Sequence, residues 1–292
     1  RYNTASNNTA VGFQALTTNT TGSGLTALGY GALLLNTSGS ENTAIGRNAL
    51  DANTTGASNT AVGRDSLGAN TTASFNSAFG FNALKANTTG ANNTAVGEGA
   101  MEVNIGGSFN TAMGVSALDA NISGANNVSL GTYSLSANTT ASNNVAVGYS
   151  ALNANTTGTA NTAVGASALD ANTTGTELTA VGKSALSAST GSYNTAMGSG
   201  AMANTTTATH NTAVGRIALS LNTTGANNTA VGSRALYATT TAGTNTAVGA
   251  NALTTNTTGA SNTAVGSSAL YANTTGFENV AVGSIALDAN TT

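Results

Sequence analysis

The stretch NTAVGSSALYANTTGFE at residues 262–278 is followed at once by NVAVG at 279–283. The glycine that closes this N-T-A-V-G block recurs at Gly12, Gly29, Gly46, Gly63, Gly80, Gly97, Gly114, Gly131, Gly148, Gly165, Gly182, Gly198, Gly215, Gly232, Gly249, Gly266 and Gly283. These 17 copies lie 17 residues apart at every step but one, the step of 16 from Gly182 to Gly198. A fixed period this short means one small unit stacked on itself, which is a solenoid. It also leaves no position chemically unique, which weighs against an enzyme.

Numbering each copy from its first Asn separates the roles. The fourth position is always apolar, from Val11, Leu28 and Ile45 to Val282, and the ninth is Leu or Met from Leu16 to Leu287. These two read as the core. The second position is mostly Thr but becomes Val at Val128, Val145 and Val280. Alternation along a strand puts the second and fourth positions on one face, so T-A-V is expected to be a short strand with those two positions inward. β-Branched residues suit that place. The third position is then expected to face outward. It is Ala in every copy except Ser129, and the eighth is Ala except at Ser66 and Ser134. A close neighbour on the small Ala face, a second copy of the chain, is the simplest physical reason for that restriction.

The fifth position is Gly throughout, which implies a positive φ or a tight backbone approach. N-T-T-G at the twelfth to fifteenth positions reads as a second turn. Its Gly is replaced at Ala73, Ala141, Ala208 and Ala242, so that site tolerates a Cβ. The chain contains no Pro, as expected where each N–H joins a ladder between coils. Seventeen residues are too few for two helices and two turns, and helical repeats run longer, at ~33 residues and above. The expected fold is therefore all-β: a parallel β-solenoid, or β-roll, with one coil per 17-residue repeat. At ~4.8 Å per coil the whole chain would be an elongated rod about 80 Å long. Low complexity alone would also suit a disordered chain, but disorder does not hold large apolar residues in phase.

Residues 1–292 read as one repeat domain without a linker. Neither end shows a capping segment, so the expectation is part of a longer protein or a unit that joins others end to end. Charged residues are 6% of the chain, against ~25% in an ordinary soluble protein. With a net charge of −3 and no basic cluster, nucleic acid is not an expected partner. Cysteine is absent, which removes disulfides and thiolate metal sites. No apolar run reaches the ~20 residues a membrane helix needs, so direct membrane insertion is not expected.

Catalysis needs convergent, unlike groups. The one histidine, His210, falls at the variable seventeenth position and reads as a solvent-facing loop residue. Asp51, Asp119, Asp170 and Asp288 share the tenth position but stand several coils apart, and Glu98 and Glu102 form one weak pair. No catalytic residue, metal site or cofactor is expected. One signal with chemistry does recur: N-x-S/T at the N-T-T turn, at Asn19, Asn36, Asn53, Asn70, Asn87, Asn121, Asn138, Asn155, Asn172, Asn204, Asn222, Asn256, Asn273 and Asn290. In an exposed turn of a secreted protein this pattern accepts N-linked sugar. The same residues read equally as turn formers and as a hydrogen-bonded stack, and both readings stay open. The aromatic residues Phe13, Tyr30, Phe81, Tyr149, Tyr237 and Tyr271 occupy variable positions. They are candidates for contact with a surface glycan or a protein receptor.

The segment Asn144-Val145-Ala146-Val147-Gly148-Tyr149-Ser150-Ala151 resembles the head repeat of trimeric autotransporter adhesins, whose pattern is N-S-V-A-I-G-x-x-S/A. Asn279-Val280-Ala281-Val282-Gly283 matches it as well. The family repeat is shorter, without the added N-T-T-G turn. The resemblance implies left-handed parallel β-rolls, three chains together, held outside the cell and binding host matrix, other cells or surfaces. The expected function is thus an extracellular structural and adhesive fibre, a surface filament or an adhesin head or shaft. Its main partner is itself, as a homotrimer or an end-to-end filament. A phage-type tail fibre is the alternative, since similar short repeats occur there. An ice-binding solenoid is a further one, because regular Thr rows on a flat face match an ice surface.

Overall fold

A computed structural model describes residues 5–291. The chain divides into two compact units, one ending at Asn144 and the other starting at Val145. Among the described residues there is no helix, and each repeat contributes one three-residue strand. In the first unit these are β1 Thr9–Val11, β2 Thr26–Leu28, β3 Thr43–Ile45, β4 Thr60–Val62, β5 Ser77–Phe79, β6 Thr94–Val96, β7 Thr111–Met113 and β8 Val128–Leu130. The second unit holds β9 Val145–Val147, β10 Thr162–Val164, β11 Thr179–Val181, β12 Thr195–Met197, β13 Thr212–Val214, β14 Thr229–Val231, β15 Thr246–Val248, β16 Thr263–Val265 and β17 Val280–Val282. Within each unit every strand pairs in parallel with the next, in register, as in Thr43↔Thr60, Ala44↔Ala61 and Ile45↔Val62. Each unit is therefore a parallel β-solenoid with one coil per repeat, as the period predicts. The strand occupies the second to fourth positions of the motif, also as expected.

Which face is inside differs from the expectation. The third-position Ala is buried in every coil from Ala27 to Ala281, while the second and fourth positions are half-buried or exposed. The alternation has the expected phase, but the opposite face points inward. The physical reason is the width of the coil. Its interior already holds the ninth-position Leu, such as Leu50 and Leu84, and in most repeats two Asn side chains, such as Asn42 and Asn53, all fully covered. Only Ala or Ser fits across from them at the third and eighth positions. The exceptions support this. Ser129 and Ser134 share one coil, and their hydroxyls lie 2.6 Å apart, each also bonded to a backbone carbonyl within the coil. The small Ala face is thus the inside of the chain, not a seat for a neighbour.

The rest of each coil is turn. The seventh and ninth positions are left-handed in almost every copy, for instance Asp65 at φ 57° and Leu67 at φ 50°. Non-Gly residues seldom adopt this region, and here the coil-to-coil bonds hold them in it. Leu50 N–H donates to the Ser66 carbonyl at 3.0 Å, and Gly63 N–H donates to the Ile45 carbonyl at 2.8 Å. Bonding to both neighbouring coils leaves little room for Pro, which is absent. The short repeat loses its residue at the turn Ser189-Thr190-Gly191, and strand register survives as Thr179↔Thr195.

Candidate functional site: the outward face of the strands

The fold pushes the second- and fourth-position side chains out of each coil and stacks them in two parallel rows. The second-position row is Thr, interrupted by Ser77, Val128, Val145 and Val280. The fourth-position row is apolar in every coil and carries Leu28, Phe79 and Met113 in the first unit and Met197, Val248 and Val265 in the second. These six are 36–46% exposed. Parallel pairing fixes the row spacing at ~4.8 Å per coil. Neither row contains a charged residue. Isolated exposed hydrophobes need no explanation, but a contiguous stripe on a soluble protein marks a contact surface. Period-two alternation locates these rows in the sequence. It does not say which set faces out, because Thr-x-Val is as plausible inside a coil as outside.

The N-T-T turns are built around the candidate acceptor residues. Twelve of the fourteen are buried: Asn19, Asn36, Asn53, Asn70, Asn87, Asn121, Asn138, Asn155, Asn172, Asn222, Asn256 and Asn273. Each twelfth-position amide in the first unit stacks on the one before. Asn36 Nδ2 donates to Asn19 Oδ1, Asn53 to Asn36, Asn70 to Asn53 and Asn104 to Asn87, at 2.7–3.0 Å. The same nitrogen also donates to the carbonyl three residues on, as Asn53 does to Gly56 at 2.9 Å. A second stack runs beside it at the first position. Asn42 Nδ2 donates to the Gly56 carbonyl at 2.7 Å, and Asn42 Oδ1 accepts the Asn59 backbone N–H at 2.8 Å. The amide nitrogen that a glycan would need is therefore inside the coil and occupied. Asn290 is half-buried. Asn204 is exposed, because the interior twelfth position of its coil is taken by Thr205 and Asn204 stands one place early. The sequence shows this shift only when counted from Met202 rather than from the sequon.

The aromatic candidates do not gather into one site. Phe13 stacks on Tyr30 with ring centroids 5.5 Å apart, and Arg64 lies over Phe81 at 4.6 Å. Arg234 lies over Tyr237 at 4.9 Å, while Tyr149 and Tyr271 are exposed. His210 stacks on Tyr193 at 4.9 Å. Among the described residues no group of three or more His, Cys, Asp or Glu is spaced to hold a metal ion. No helix among them is long and apolar enough to cross a membrane. No protein-family model matches the sequence, and no curated protein shows significant similarity to it.

Proposed function

We propose that the chain is a structural and adhesive fibre of the extracellular surface, assembled by side-by-side association of copies through the outward strand face. The observation that carries this reading is the unbroken apolar fourth-position row, uncharged and open in both units. A second copy is the partner that fits it, because its rows repeat at the same spacing coil for coil. Burial of such a stripe is favourable at roughly 25 cal/mol per Å², and homotypic contacts close most simply as small cyclic oligomers. Three copies around an axis is the arrangement that the adhesin-like N-V-A-V-G blocks imply. The repeats lack convergent chemistry, so the mechanism is geometric: stacked coils form a stiff support, and the variable sixth, seventh, tenth, sixteenth and seventeenth positions decorate it. A fibre of this kind serves a cell surface or a phage-type tail equally well.

Light scattering on the folded chain tests the assembly. The expected species is three times the 28.1 kDa chain. The double variant Val62→Asp, Val96→Asp is expected to be monomeric with an unchanged circular dichroism spectrum. A folded monomer from the unaltered sequence would sink the proposal.

A second reading rests on the same face. A Thr row beside an apolar row at fixed spacing is a surface that orders water, as an ice-binding protein requires. The turn threonines, by contrast, are engaged with the next coil, as Thr37 Oγ1 is with the Thr54 carbonyl at 3.0 Å. Thermal hysteresis of the monomeric chain would favour this reading, and its absence would end it.

A further inference from the structure

Charge is scarce along the chain, yet it collects in the first unit. The tenth position of successive coils reads Asp51, Gly68, Lys85, Glu102, Asp119, each 17 residues after the last. Stacking turns that spacing into a column. Gly68 breaks it by having no side chain. Between its neighbours lies an open cavity of about 520 Å³, edged by Asp51, Asp65, Lys85 and Glu102, with Ala69, Ala86 and Val103 as its apolar lining. A Cβ on Gly68 would stand 3.5 Å from Asp51 Oδ1 and 3.3 Å from the Asp65 carbonyl oxygen, so a longer side chain there would occupy the space. Elsewhere the tenth position carries residues as large as Leu34 and Tyr237. The gap is therefore a property of this coil and not of the fold.

The groups around the gap are unevenly matched. Asp65 is held by Arg64 at 3.0 Å and by the Asn48 amide at 3.2 Å. Glu102 takes Lys85 at 3.8 Å and the Asn82 amide at 2.9 Å. Asp51 has no cationic partner among the described residues. Burial raises its pKa above the usual 3.8; hydrogen bonds from the Asp51 and Ala52 backbone oppose the rise, and the Asp65 charge nearby adds to it. The gap thus offers several carboxylate acceptors, one of them without a cationic partner, and a short apolar wall. A bare metal ion is a poor match, because no three acidic side chains converge.

We propose that the Gly68 notch binds an amino sugar, with the ammonium on Asp51 and Asp65, the ring along Ala69, Ala86 and Val103, and hydroxyls on Glu102 and Lys85. One monosaccharide suits a cavity of this size, since small-ligand sites run from roughly 300 to 1,000 Å³. The ammonium supplies the charge that Asp51 lacks, and the hydroxyls supply donors to a rim rich in acceptors. This assignment concerns the notch of a single copy and does not depend on assembly.

Titration calorimetry on the full chain, with glucosamine as probe, tests it. Saturable binding at one site is expected. Asp51→Asn should weaken it about tenfold, roughly one charge-assisted contact. Gly68→Leu should abolish it while circular dichroism shows the coil intact, as expected from the Leu34 precedent. N-acetylglucosamine, the same ring without the charge, should bind at least tenfold more weakly. Cadaverine, an ammonium without the ring, should also bind more weakly. Undetectable glucosamine binding, or unchanged binding by Gly68→Leu, would overturn the site. Equal binding of N-acetylglucosamine would overturn the role of the charge, and equal binding of cadaverine would overturn the sugar.

Discussion

At Gly97 two independent constraints meet. Its φ is +135°, a region closed to residues with a side chain. A Cβ there would sit 2.5 Å from the carbonyl oxygen of Gly114 in the next coil, and that oxygen is fixed backbone. The fifth-position Gly was legible from sequence as an invariant turn residue, and its restriction has both causes at once. Gly97→Ala is expected to cost at least 3 kcal/mol in denaturant unfolding, since strained φ alone is worth about 1–3 kcal/mol and the steric conflict adds to it. The left-handed Leu residues at the ninth position were not legible. Leu carries no turn signal, and neighbouring coils impose its φ.

The tenth-position carboxylates give a second test at this scale. Burial is the leading cause that raises the pKa of Asp170 above 3.8, with hydrogen bonds from the Asp170 and Ala171 backbone opposing it. A raised folded-state pKa means that the charged form is penalised in the fold. The penalty is present above that pKa and disappears below 3.8, where the carboxyl is protonated in both states. Asp170→Asn should therefore raise the melting temperature at neutral pH. The gain should shrink as pH falls through the raised pKa and vanish below 3.8. A gain that stays constant with pH would show that the effect is not electrostatic.

Coils are tied together by the asparagine stacks, and the second unit shows what happens where these are interrupted. Leu178 replaces Asn in the first-position stack, and Ser189, Thr205 and Thr239 replace it in the twelfth-position stack. Ser189 finds a partner in the Gly191 carbonyl at 3.3 Å. Thr205 Oγ1 is buried with none. Val has nearly the same shape and no hydroxyl to satisfy. Thr205→Val should therefore stabilise the chain by about 1 kcal/mol, the low end of the cost of an unpaired buried group. Slower amide exchange in the coils around residue 205 would show it, and faster exchange would mean that the hydroxyl has a role. The sequence made the coil, its period, its strand and the buried Leu legible, because these follow from phase alone. It did not reveal which strand face points inward, since that depends on how much interior the Asn side chains occupy. It also hid the Gly68 notch. Asp51 and Lys85 lie 34 residues apart along the chain, and only coil stacking turns that separation into proximity.

Taken over the whole chain, repetition protects almost all of the N-x-S/T motifs at the N-T-T turns by using their amides as structure. Twelve of fourteen are buried in the coils. Attaching sugar to Asn87, for example, would remove its bonds to Asn70 Oδ1 at 3.0 Å and to the Gly90 carbonyl at 2.9 Å. It would also force a large polar group through a coil closed by its neighbours. Asn204 is different, because Thr205 has displaced it to the surface. There its amide holds one bond, to the Ser220 carbonyl at 3.0 Å. The exposed Asn7, Asn92 and Asn227 at the seventeenth position carry the same N-x-T pattern as Asn-Asn-Thr, so sugar transferred to the folded chain is expected at Asn204 and at these three and not along the stack. Peptide mapping by mass spectrometry after expression in an N-glycosylating host measures this directly. Modification at Asn204 and the exposed Asn7, Asn92 and Asn227, with none in the asparagine stacks, is the expected outcome. Substantial occupancy at Asn87 or Asn121 would mean that the coils open far enough in solution to release an interior amide, and the asparagine stack would then be too weak to hold adjacent coils in register.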